Sequence, residues 1–140
     1  MTEFPASRNA AALYTGQPDR MPLRCLLVDD NDAFLETASL LLEREGLTVV
    51  GMASNIAEAL RQARALQPDL ILVDIGLGSE SGFTLARLLV GDDQDADVIL
   101  ISTGAEADYA DLIAESPAAG FLAKSELSAS GISRILGHVS

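Results

Sequence analysis

Four short apolar runs in this chain each stop on a chemically active side chain. Cys25-Leu26-Leu27-Val28 stops on Asp29-Asp30, and Leu70-Ile71-Leu72-Val73 stops on Asp74. Val98-Ile99-Leu100-Ile101 stops on Ser102, and Gly120-Phe121-Leu122-Ala123 stops on Lys124. Runs this short, bounded by turn residues, predict buried parallel strands over residues 24–29, 70–74, 98–102 and 120–123, with a further strand over 48–53. Helical periodicity fills the intervals. The first helix, 32–45, opens on Asp32, ends at Gly46 and shows Phe34, Ala38, Leu41 and Leu42 on one face. The second is capped by Ser54 and Asn55, repeats Ile56, Ala59, Leu60, Ala63 and Leu66, and stops before Pro68. A third is expected over 82–90 after the loop 76–82, a fourth over 107–115 before Ser116-Pro117, and a fifth over 128–139 with Ile132, Ile135, Leu136 and Val139 on one side. An acidic loop, 91–97, separates the third helix from the fourth strand.

Five strands alternating with five helices imply an α/β fold, a doubly wound five-stranded parallel sheet with right-handed crossovers. In such a sheet the carboxyl ends of the strands open on one crevice. Asp29, Asp30, Asp74, Ser102 and Lys124 are therefore expected to meet there. Residues 1–22 carry Pro5, Pro18 and Pro22 and no sustained periodicity, and they are expected to form a flexible N-terminal tail, with Met21 an alternative start. Residues 23–140 form the one domain, and no second domain is expected after the fifth helix.

Composition narrows the function. The 21 acidic residues against 9 basic ones give a formal charge of −12, a surface that phosphate backbones repel, so no direct nucleic-acid binding is expected. One Cys makes no internal disulfide, no apolar run approaches the ~18 residues of a membrane span, and no signal-peptide pattern starts the chain. No membrane association and a cytoplasmic location are expected.

Crowded carboxylates point to a cation, because like charges ~4 Å apart repel by about 4 kcal/mol at an effective dielectric of 20. Magnesium suits the cluster, since one or two carboxylates, a carbonyl and waters complete its octahedron. A metal there would neutralise an incoming phosphoryl group while a carboxylate acts as nucleophile. Ser102 could donate a hydrogen bond to a phosphoryl oxygen, and Lys124 a charge-assisted one.

The segments Leu26-Leu27-Val28-Asp29-Asp30, Leu70-Ile71-Leu72-Val73-Asp74, Ser81-Gly82-Phe83, Val98-Ile99-Leu100-Ile101-Ser102 and Gly120-Phe121-Leu122-Ala123-Lys124-Ser125 stand in one order. With that order the chain resembles the receiver domains of two-component response regulators over about residues 23–139, as a stand-alone single-domain type. The resemblance implies a flavodoxin-like sheet of order 2-1-3-4-5. It makes Asp74 the phosphoacceptor and places Mg²⁺ on Asp30, Asp74 and the backbone carbonyl of Gly76, with Asp29 acting mainly through water. Ser102 becomes the switch hydroxyl, Phe121 the switch aromatic and Lys124 the partner of the phosphoryl group. The donor would be a histidine kinase or phosphotransfer protein, with its specificity on the first helix near Ala33, Phe34, Thr37 and Ala38. Output would run through the face of the fourth helix, fifth strand and fifth helix to a downstream protein or a second copy.

Departures from the family pattern carry expectations of their own. Gly78 stands where the family usually has Pro, and Ser125 rather than Pro follows Lys124, where a cis bond would cost about 2.5–4 kcal/mol. Gly76 and Gly104 are small where the family often has larger side chains. Both are expected to leave a phosphoryl group open to water, so a bulky residue at 104 is expected to slow its loss. Simple core packing is the alternative for Phe121, and Thr103 the alternative hydroxyl. Three other functions compete with the switch. One is a receiver-like binding module indifferent to phosphorylation. Another is a Mg²⁺ phosphatase of the haloacid dehalogenase type, for which Asp30-Asn31-Asp32 offers a start but nothing after Lys124 offers further ligands. The last is the severed receiver of a longer DNA-binding regulator. The leading expectation is a switch and not an enzyme, with self-phosphorylation and slow autodephosphorylation its only chemistry.

Overall fold

The computed structural model describes residues 23–92 and 95–136. Its sheet consists of β1 (Arg24–Val28), β2 (Thr48–Ala53), β3 (Leu70–Asp74), β4 (Asp97–Ser102) and β5 (Gly120–Ala123), all parallel, in the order β2-β1-β3-β4-β5. The helices are α1 (Asp32–Arg44), α2 (Ile56–Leu66), α3 (Gly82–Gly91), α4 (Ala110–Glu115) and α5 (Ala129–Ile135). This is the doubly wound arrangement that the alternation predicts, in the flavodoxin-like order that the resemblance implies.

Successive residues of a strand point to opposite faces. Cys25, Leu27, Leu70, Leu72, Ile99 and Ile101 pack with Leu35, Ala38 and Leu42 of α1 and Ile132 of α5. Leu26, Val28, Ile71, Val73, Val98 and Leu100 pack instead with Ala59 and Ala63 of α2 and Leu85, Ala86 and Leu89 of α3. Both faces of β1, β3 and β4 are covered, which is why these strands read as unbroken apolar runs. The exposed edge, β2, is protected by side chains from its flanking helices. Glu43 Oε2 accepts from Val49 N (3.1 Å), and Gln62 Nε2 donates to Met52 O (2.8 Å). Val50 falls in a register shift against β1. Bulged, side-chain-occupied edges resist pairing with another chain.

Several boundaries differ from the periodic reading. The loop after Asp74 contains a small antiparallel hairpin, Gly76–Leu77 against Glu80–Ser81, too short to leave a pattern of its own. On α1, Leu35 is buried as well as Ala38 and Leu42, while Phe34 is half-buried against the same core with its ring beside Lys124. The fourth helix divides into a 3₁₀ turn, Glu106–Tyr109, and a six-residue α-helix. The fifth is described only to Ile135, and its expected extension to Val139 lies outside the described residues, as do the expected tail 1–22 and residues 93–94 of the acidic loop. Among the described residues every peptide bond is trans, Lys124–Ser125 included, so β5 leaves the site through the 3₁₀ turn Lys124–Glu126. No helix among them is long and apolar enough to cross a membrane.

Candidate functional site

At the carboxyl end of β1, Asp29 N donates to Ala53 O (3.0 Å), which carries the ladder one residue past the strand. The Asp29 side chain is buried at 1% exposure, whereas Asp30 is exposed. Asp29 Oδ1 accepts from Asn31 N (2.9 Å), and Asn31 Oδ1 caps α1 by accepting from Phe34 N (3.0 Å). The Asp29-Asp30-Asn31 turn thus ends a strand and starts a helix while turning one carboxylate in and the next out.

Asp74 is the last residue of β3 and is 8% exposed. Its Oδ1 accepts a long hydrogen bond from Gly76 N (3.4 Å). The chain after it is pinned by Ile75 N to Ile101 O (3.0 Å) and Gly82 N to Ile75 O (2.9 Å). Gly82 is required there because a Cβ would collide with the Asp74 carbonyl and stand 2.7 Å from Ile75 Cα. Gly78 has φ +68°, a left-handed conformation closed to the proline that the family pattern suggests. Glu80 ties the hairpin down by accepting from Ile56 N (2.8 Å) at the start of α2. Replacing Glu80 with Ala is expected to lower stability by about 1 kcal/mol, the worth of a lost helix cap; a urea midpoint equal to wild type would contradict that role.

These elements bring one oxygen from each of Asp29, Asp30 and Asp74 within 4.8 Å of one another. The cation facing them is Lys124, whose Nζ lies 2.6 Å from Asp29 Oδ2 and 3.5 Å from Asp74 Oδ2. The same ammonium sits 4.3 Å from the centroid of the Phe34 ring, a cation–π contact that helps hold it over the cluster. One positive charge does not neutralise three carboxylates. Burial, reinforced by Asp29, therefore pushes the Asp74 carboxyl up to about 6, against the opposing pull of Lys124 and of Gly76 N. Asp29 Oδ2 is buried and accepts no directed hydrogen bond, its contact with Lys124 being ionic. Three carboxylate oxygens within 4.8 Å of one another, with one ammonium against two of them, are a donor set fitted to a hard divalent cation.

Ser102 ends β4 at 4% exposure, and its Oγ accepts from Gly104 N (2.9 Å), which leaves the hydroxyl proton available to another acceptor. Phe121 is paired with Leu100 in the β4–β5 register and is half-buried with Tyr109 against the α2–α3 side of the core. Asp29, Asp30, Asp74 and Lys124 are thus brought together. Ser102 stands at the end of the adjacent strand, and Phe121 lies deeper, away from the cluster.

Three contacts are invisible to the sequence reading. Phe34 has helical spacing suited to a core position, and only its packing shows it over Lys124. Glu80 reaches Ile56 across 24 residues, and Tyr109 returns to Gly104 through the 3₁₀ turn, neither with a periodic signature.

Residues 25–135 match the model of the response regulator receiver domain. The response regulator GacA of Pseudomonas viridiflava is 31% identical over 73% of this chain and 48% of its own length. The chain spans about half the length of the curated relatives it matches. Among solved structures, the signal receiver domain of a Mycobacterium tuberculosis protein assigned as the response regulator NarL superposes with TM-score 0.75 at 27% identity, covering 85% of this chain and 100% of that one. A response regulator from Burkholderia pseudomallei, solved with a phosphorylated aspartic acid, a calcium ion and citrate, has TM-score 0.71 at 32% identity over 83% of this chain and 67% of that one. With the family model matched along nearly all of the folded chain, this protein belongs to the receiver domains of two-component response regulators.

Proposed function

We propose that this receiver domain is a phosphorylation-dependent switch that accepts a phosphoryl group on Asp74 from a histidine kinase or phosphotransfer protein. The observation that carries this reading is the convergence of Asp29, Asp30 and Asp74, with Lys124 placed against Asp29 and Asp74. Asp29, Asp30 and Asp74, with the Gly76 carbonyl, would hold Mg²⁺. Bound there, the metal supplies charge neutralisation at the phosphoryl oxygens. The phosphorylated aspartic acid and calcium ion of the Burkholderia pseudomallei protein are the same chemistry in a relative.

An oxygen of the ionised Asp74 attacks phosphorus, and the bond from phosphorus to the donor breaks with its electron pair leaving on the donor. Lys124 is held 3.5 Å from Asp74 Oδ2 and needs only a small movement from Asp29 to pair with a phosphoryl oxygen. The free proton of Ser102 gives that oxygen a second donor. Engaging Ser102 draws on the loop it anchors through Gly104 N, and so biases Tyr109, Phe121 and the face formed by α4, β5 and α5. That face signals to a downstream protein or a second copy, in the cytoplasm, without touching DNA or membrane itself. Beyond taking up and slowly losing its own phosphoryl group, the domain turns over no substrate.

Intact mass after incubation with a small acyl phosphate tests the reading. One added phosphoryl group is expected with Mg²⁺ and none after chelation. Equal uptake with and without the metal would contradict the proposed cation site.

A further inference from the structure

The loop leaving Ser102 has an unusual division of labour. Thr103 and residues 105–108 are exposed, and only Gly104 and Tyr109 turn inward. A Cβ placed on Gly104 would stand 3.1 Å from Tyr109 Cε2, 3.3 Å from its hydroxyl oxygen and 3.5 Å from Ser102 Oγ. The tip of the phenol therefore fills the space that a side chain at 104 would take, beside the hydroxyl expected to meet the phosphoryl group. The ring is braced from behind, half-buried with Ile113, Ala118 and Phe121 against the core. The other small neighbour differs, because a Cβ on Gly76 meets nothing within 4 Å. Tyr109 is thus the side chain that occupies this flank of the site, supplied from five residues downstream of the glycine.

We propose that Tyr109 stands in for the side chain Gly104 lacks and shields a phosphoryl group on Asp74 from water, setting the lifetime of the switched state. The inference rests on Asp74 being the phosphoacceptor. In the step it slows, a water oxygen bonds to phosphorus as the bond from phosphorus to the Asp74 oxygen breaks. The electron pair stays on the carboxylate, the water gives up a proton to solvent, and inorganic phosphate leaves. The shield is the ring rather than the hydroxyl, since the ring carries the volume. It follows that a bulky residue at 104 competes with Tyr109 for occupied space and adds little protection.

The test is the decay of the adduct, followed by intact mass after donor removal, in wild type, Tyr109→Phe, Tyr109→Ala, Gly104→Gln and the double variant Gly104→Gln/Tyr109→Ala. Gly104 has no left-handed φ, so its backbone admits glutamine, and the Tyr109 ring 3.1 Å from the new Cβ gives way by a few tenths of an ångström. Tyr109→Phe and Gly104→Gln are expected to decay at the wild-type rate. Tyr109→Ala is expected to decay about fivefold faster, about 1 kcal/mol of barrier. The double variant is expected to regain most of the lifetime, and Mg²⁺ affinity and uptake yield to stay unchanged throughout, which loss of mere structural support would not produce. A wild-type lifetime in Tyr109→Ala, or a shortened one that glutamine at 104 does not restore, overturns the role of Tyr109. No adduct on the wild-type protein overturns the reading of Asp74, and this inference with it.

Discussion

Asp74→Asn is expected to lose the phosphoryl adduct, by at least about a hundredfold in rate because the nucleophilic oxygen is gone, while becoming more stable than wild type in metal-free buffer near neutral pH. The second half follows from the site's electrostatics. Asp74 is held above its ordinary 3.8 at about 6, first by burial and then by Asp29. A carboxyl whose folded value is raised favours the native state while protonated. Its contribution is full below pH 3.8 and is lost as pH rises through about 6. Asparagine keeps the acceptor for Gly76 N and never ionises. The two proteins should therefore match in acid and diverge as pH rises from about 4 to about 7, the variant gaining about 1–2 kcal/mol after allowance for screening at the open mouth of the site. Urea unfolding across that range, with chelator present, reads the divergence. Curves that stay parallel would mean that the cluster is not strained. Added Mg²⁺ should then close the gap, since it binds the ionised wild type and stabilises it by mass action.

Lys124→Met should act in the opposite direction. Methionine retains the apolar stem but removes the positive charge placed against Asp29 Oδ2 and Asp74 Oδ2. Asp29, at 1% exposure, is left with its Oδ2 facing no ammonium. Breaking a buried pair on one side costs about 3 kcal/mol, and the metal-free variant should unfold at correspondingly lower urea. Millimolar Mg²⁺ should restore part of that loss, because the variant's cluster is more negative than wild type. A midpoint unchanged by the substitution, or insensitive to Mg²⁺, would contradict the picture of Lys124 as the internal counter-ion. Its Phe34 contact predicts a smaller loss, in the same direction, on replacing Phe34 with Leu.

The fold was legible because β1, β3 and β4 are buried on both faces, so their apolar runs could mean little else, and because each runs into a polar residue at the carboxyl end of the sheet. The cluster of Asp29, Asp30, Asp74 and Lys124 was legible for the same reason: strand ends in a parallel sheet converge, whatever lies between them. Less legible was anything decided by packing. Phe34 and Leu35 are adjacent on a helix with an apolar face, and the periodicity could not say that Leu35 is fully buried while Phe34, half-buried, also covers Lys124. The hairpin at 76–81 is held by Glu80 and by the close approach of Gly82 to Asp74, contacts without a periodic signature. Gly104 looked like an opening in the site. Only the return of Tyr109 through the 3₁₀ turn shows that the space is filled.

The most direct test of the central claim is to locate the phosphoryl group chemically. Borohydride reduces an acyl phosphate to an alcohol, which converts a phosphorylated aspartate to homoserine that peptide mass spectrometry can place. After loading in Mg²⁺, the account predicts homoserine at position 74 and at no other carboxylate. Homoserine at Asp29 or Asp30, or a borohydride-stable adduct on a hydroxyl or on His138, would contradict it.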